Sequence, residues 1–146
     1  MLLEESLSKF RAWGFKWGIA NALHHIGSQA LARADDERAA ACLQESMILN
    51  RDLGNTLGIA KALVGGGSLA LAKGNPDHSA RLFAAVEALR KTIGAPMPAY
   101  EKMHFDRELA RVRALLDEET FATTWNAGKK MTSEQAVIFA LEERSG

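Results

Sequence analysis

The chain repeats itself. Laid on itself at a shift of 40 residues with no gaps, residues 3–43 match residues 43–83 at 16 of 41 positions. The identities include Gly14/Gly54, Gly18/Gly58, Ile19/Ile59, Leu23/Leu63, Gly27/Gly67, Ser28/Ser68 and Leu31/Leu71, and Leu43 falls on Phe83. A fixed period of this length implies tandem supersecondary units. None of them can bury its apolar face alone, so each must stack on its neighbours.

Within each unit the apolar spacing is helical. Ile19, Ala22, Leu23, Ile26, Ala30 and Leu31 recur three and four apart, which predicts a buried stripe on a helix from Gly18 to Arg33. Ala34-Asp35-Asp36 reads as a short polar turn, and a second helix follows from Glu37 with Ala40, Leu43, Met47 and Leu49 inward. The second unit has clearer punctuation: Lys73, Gly74 and Pro76 supply a basic last turn, a terminating glycine and a proline at the next helix start. Arg51 to Asn55 closes one unit and opens the next. The predicted fold is therefore all-α, an α-α superhelix.

The boundaries follow from the register. Residues 1–12 correspond to the back half of a second helix and are expected to be the tail of an upstream repeat. Residues 13–52 and 53–94 are the two repeats. At a further shift of 40, Arg107 replaces Gly27 and Gly67, and Thr123 replaces Leu43 and Phe83, so residues 95–146 are expected to be a degenerate helical cap. There a helix from Tyr100 to Leu116 carries Met103, Leu109, Val112 and Leu116 as its apolar positions. Asp117 caps another through Trp125, and Thr132-Ser133-Glu134-Gln135 has capping-box spacing and opens a last helix ending near Glu143. Glu134, Glu142, Glu143 and Arg144 suit a water-facing end.

Leu23-x-x-Ile26-Gly27, Ala30, Ala34-Asp35, Ala39, Leu43 and Ser46 resemble the tetratricopeptide repeat pattern. Leu63-x-x-Gly66-Gly67, Ala70, Gly74-Asn75, Ser79, Phe83 and Val86 follow the same spacing. A period of 40 against the usual ~34 implies helices longer by about a turn. With the tail Ile93-Gly94-Ala95-Pro96 and Phe121-x-x-x-Trp125-x-x-Gly128-x-x-Met131, the whole chain resembles the C-terminal region of large bacterial signalling ATPases, including transcriptional regulators with a LuxR-type DNA-binding end. The resemblance implies a tetratricopeptide-like solenoid that binds a partner protein or upstream domains of its parent chain, with a small-molecule effector sensor as the alternative. In that family the first helix of each unit lines a concave groove, which maps onto Asn21, His24 and Ser28, then Lys61, Val64 and Ser68.

Composition narrows the function further. A chain of 146 residues, 47% hydrophobic and 25% charged, suits one globular domain and excludes disordered, collagenous and disulfide-rich classes. Eighteen basic against eighteen acidic residues argue against direct nucleic-acid binding, and Lys129-Lys130 is too short for a basic patch. One cysteine allows no intrachain disulfide, no apolar run approaches a membrane span, and the acidic start is unlike a signal peptide. A cytoplasmic protein without membrane contact is expected.

No residue set points to chemistry. His24 and His25 are adjacent and diverge by about 100° on a helix, without a ligand four residues on, so no metal is expected; His78 and His104 stand alone. Cys42 reads as a small buried residue. Gly65-Gly66-Gly67-Ser68 lacks the strand and the lysine of a phosphate loop and reads as close helix packing. The pairs Glu4-Glu5, Asp35-Asp36, Glu118-Glu119 and Glu142-Glu143 fall at turns and helix ends, where they serve solubility and the helix dipole. The chain is expected to be no enzyme and to hold no cofactor. Leu2, Leu3, Leu7, Phe10, Trp13, Phe15 and Trp17 crowd the first units; Phe10, Trp13 and Trp17 are the candidate self-association residues, through a homodimer formed at this end.

Overall fold

A computed structural model describes residues 2–142, and every regular element among them is a helix. In chain order these are α1 (Leu2–Trp13), α2 (Lys16–Ala32), α3 (Asp36–Leu53), α4 (Thr56–Ala72), α5 (Pro76–Ile93), α6 (Ala99–Leu115), α7 (Glu118–Lys129) and α8 (Ser133–Glu142). The close of α8 near Glu143, together with Arg144, lies outside the described residues.

The sequence period of 40 divides into two structural steps of 20. Left-handed residues stand at Gly14, Ala34, Gly54, Gly74 and Gly94, with φ of 68°, 60°, 69°, 82° and 67°. At each, the following residue's N–H donates across the turn to the carbonyl five residues back: Phe15 to Phe10, Asp35 to Ala30, Asn55 to Asn50, Asn75 to Ala70 and Ala95 to Arg90. These 2.8–2.9 Å bonds are the six-to-one bonds that satisfy orphan carbonyls at helix C-termini. Asp35 and Asn55 then cap α3 and α4 by accepting from Arg38 and Gly58 N–H. Turns of two or three residues allow only an antiparallel fold-back, so α2 packs on α3, α4 on α5, and α3 on α4. This row is consistent with an α-α superhelix.

The glycines set the helix spacing. A Cβ on Gly27 would lie 3.0 Å from Leu43 Cγ, and one on Gly67 would strike the Phe83 ring, at 2.7 Å from Cδ1. Both pairs are sixteen residues apart, so the same contact is made twice, one period on. Gly65 admits Leu43 from the preceding unit at 2.7 Å, whereas Gly66 has only an ordinary 3.5 Å contact with Leu82. Close approach therefore explains Gly65 and Gly67 but not Gly66. The stripe of α2 is buried except Leu31, which is half-buried. On α3, Ala40 and Leu49 are only half-buried; Ala39, Leu43, Ser46 and Met47 face inward instead. Ser46 Oγ uses that position to donate to Ala20 O of α2 at 2.8 Å. Cys42 is half-buried rather than enclosed, and burial pushes its thiol pKa up.

The C-terminal helices depart from the repeat later than expected. α6 lies across α4 and α5 like another first helix, but α7 packs on α5 instead of pairing with α6. Gly128 makes this possible: its α-carbon faces the Arg81 carbonyl and Ala84 Cβ, and a side chain there would hit α5 backbone. On α6, Phe105 and Val112 are buried, and Met103, one of the four apolar positions expected on this helix, is 50% exposed. Asp117 accepts from Thr120 N–H at 2.7 Å, and Thr132 and Gln135 form a reciprocal box at 3.0 and 3.1 Å. α8 crosses α3, α4 and α5, and its Glu134 and Glu142 are exposed.

Candidate functional groove

The first helices of successive units, α2, α4 and α6, form the walls of one open face. His24 and Ser28 from α2 meet Lys61, Val64 and Ser68 from α4 around a hollow of about 410 Å³. Asn21 stands beside it in an adjoining hollow of about 400 Å³, which His24 and Lys61 also line. The six groove residues thus line two adjoining hollows that share His24 and Lys61.

The third wall was legible but unread. Advancing Lys61, Val64 and Ser68 by 40 gives Glu101, His104 and Glu108, and all three line the larger hollow. The broken register at Arg107 and Thr123 argued for a cap and hid the fact that α6 keeps the groove positions. Tyr100 and Met97 complete that end; the Tyr100 ring meets His104 edge-on at 4.7 Å. Phe10, Phe15 and Trp17 close the other end.

Electrostatics differ along the floor. His24 is pushed down to about 4 by burial, with the charges of His25 and Lys61 adding to the effect, so it is neutral at pH 7. Its Nδ1 is buried and has no hydrogen-bond partner among the described residues. Lys61 makes no ion pair among the described residues, while Glu101 and Glu108 are engaged by Arg90 at 3.4 Å and Arg111 at 3.0 Å. Ser28 Oγ donates to His24 O at 2.9 Å, which occupies its hydroxyl with helix backbone.

The junctions between units are built from three different residue types at one register position. Residue 50 is a buried Asn whose Nδ2 donates to Ser46 O at 2.9 Å and whose Oδ1 accepts from Asn55 at 3.0 Å. Residue 90 is a buried Arg that donates to Ala95 O at 2.9 Å. Residue 10 is Phe, set edge-on to Phe15 at 5.4 Å and wedged against Gly18. Phe10 is therefore half-buried and turned inward, whereas Trp13 and Trp17 are 71% and 50% exposed.

The remaining singled-out residues stay apart from the groove. His25 is exposed with its ring edge-on to His24 at 5.2 Å, and His78 stacks on Phe139 at 4.2 Å. Among the described residues, no three His, Cys, Asp or Glu side chains gather as metal ligands, and no helix is long and apolar enough to cross a membrane. Compared with known proteins, the chain matches no family model, no curated protein and no solved structure.

Proposed function

We infer that the protein is a non-catalytic docking module that receives a segment of a partner protein, or of its own parent chain, in the groove of α2, α4 and α6. The observation that carries this reading is that equivalent positions from three helices, 21/61/101, 24/64/104 and 28/68/108, line two adjoining hollows that share His24 and Lys61. An extended surface made by repetition favours a long ligand. The resemblance to regulators adds a setting, a cytoplasmic signalling or transcriptional regulator of bacteria in which the docked state is passed to other domains.

Selection of displayed peptides on the chain, with counter-selection on a Lys61→Glu/Val64→Glu variant, tests the reading. A recovered motif whose synthetic peptide binds the wild-type chain and loses about tenfold or more on Lys61→Glu supports it. Enrichment that ignores the variant rejects it.

A second reading rests on the hollow's size. About 410 Å³ lies within the ~300–1,000 Å³ span of small-molecule sites, so an effector could lodge between Val64 and Tyr100. A compound that raises the melting temperature of the wild-type chain but not of Val64→Trp favours this reading.

A further inference from the structure

We propose that α1 is a self-association face on which two copies of this chain pair α1 against α1, antiparallel about a two-fold axis. This proposal does not rest on the groove reading.

Two sides of α1 are accounted for within the chain. Leu3, Leu7 and Phe10 lean on α2, each half-buried. Glu4 and Arg11 reach across to α3, pairing with Arg38 at 2.7 Å and Glu45 at 2.8 Å. The remaining face carries Leu2, Glu5, Lys9 and Trp13, which fall within about 80° of one another at 100° per residue. Leu2 is 81% exposed and Trp13 71%. Glu5 and Lys9 are exposed, and neither makes an ion pair among the described residues. No residue of α1 is fully buried.

This face is complementary to itself. A two-fold axis crossing α1 near residue 7 sets each residue opposite one whose number brings the sum to about 14 or 15. Leu2 then meets Trp13 of the second copy, and Glu5 meets Lys9, with each contact made twice as an isologous interface requires. Apolar side chains seal both ends of the pair and opposite charges fix its direction, since a parallel pairing in register would set Glu5 on Glu5 and Lys9 on Lys9. Phe15 and Trp17 extend the apolar rim beyond the turn. A two-fold pairing uses the same face on both copies, so it closes at two copies instead of growing into a filament.

Sedimentation equilibrium of the 146-residue chain, carried to millimolar concentration, tests this. The wild-type chain is expected to dimerise. Glu5→Lys and Lys9→Glu should each weaken the dimer by about tenfold or more, because each creates two like-charge contacts. The double variant Glu5→Lys/Lys9→Glu should regain wild-type affinity, and Trp13→Glu should yield a monomer. All four side chains point outward, so thermal melts of the variants should match the wild type and separate lost association from lost folding. A wild-type monomer at that concentration overturns the proposal and leaves the face to a different partner. A dimer indifferent to the single reversals, or one that the double variant fails to restore, overturns it equally.

Discussion

The hairpins α2–α3 and α4–α5 start from closely related sequences and end in different surroundings. Both turn through one left-handed residue, both bury the same stripe on their first helix, and both set a glycine against the residue sixteen positions on. Yet α3 buries five residues and α5 nine, including Leu82, Ala84 and Ala85, whose equivalents Cys42, Gln44 and Glu45 are half-buried, exposed and half-buried. The difference comes from α7 and α8, which cover the second hairpin and only touch the first. Repetition fixes the backbone register; neighbours then decide which faces become core.

The largest expected effect lies at the glycine pair. Phe83 is fully buried and fills the gap above Gly67, so Phe83→Ala should cost about 4 kcal/mol, against about 3 for Leu43→Ala over Gly27. Gly67→Ala should cost about 2 kcal/mol because its Cβ meets a rigid ring, while Gly27→Ala meets the branch of a movable leucine and should cost about half of that. Phe83→Leu gives the second hairpin the packing of the first and should relieve part of the Gly67→Ala penalty. Urea denaturation of the five single variants and the Gly67→Ala/Phe83→Leu pair measures this; strict additivity would mean that the two positions do not share one contact.

Much of this was readable in advance because it is encoded by residues close in sequence. Gly74 and Pro76, Asp117, and the Thr132–Gln135 box each act on their own helix end, and the stripe of α2 needs only periodicity. What escaped depends on distant partners. Nothing beside Gly128 says that its flat side meets Arg81 of α5 in place of α6, and nothing beside Phe10 says that it wedges inward onto Gly18 while Trp13 stays outside. The half-period of 20 was hidden because Ala34 occupies a left-handed position where the other four turns use glycine. The third groove wall was hidden for a different reason: two substitutions that end the hairpin pattern do not end the helix register, so Glu101, His104 and Glu108 still fall in place.

The next contrast is His24 against Val64, one period apart on neighbouring walls. The folded His24 binds its proton near pH 4, while in the unfolded chain it binds near the ordinary imidazole value of 6.5. Above pH 6.5 both states are neutral and nothing is lost. Between 6.5 and about 4 the unfolded chain takes up the proton first, so stability should fall as pH falls, by up to about 3 kcal/mol. His24→Val, which makes the first hairpin resemble the second, should flatten this window. Glu45, held low by Arg11, and Asp117, held low by Thr120, lose their contribution only as pH falls through the carboxylate range, so the two windows separate. Denaturant midpoints between pH 7 and 4 that are unchanged by His24→Val would place the acid sensitivity elsewhere.

The smallest effect isolates the turns themselves. Ala34 and Gly74 occupy the same step of the repeat with φ of 60° and 82°, and only the alanine carries a Cβ that crowds its own carbonyl. Gly74 has open space where a Cβ would stand, so Gly74→Ala changes backbone strain without any packing clash. It should destabilise by about 1 kcal/mol, and Ala34→Gly should stabilise by about the same amount less the added freedom of glycine in the unfolded chain. In a chain of this length these are shifts of about 3 °C in opposite directions. The exchanged pair, Ala34→Gly with Gly74→Ala, should then melt close to wild type, because each change acts on the backbone of its own turn and the added Cβ meets open space. A large net change would mean that the second hairpin, gripped by α7 and α8, holds its turn more tightly than the first, and that burial by neighbours reaches back into the local geometry of the repeat.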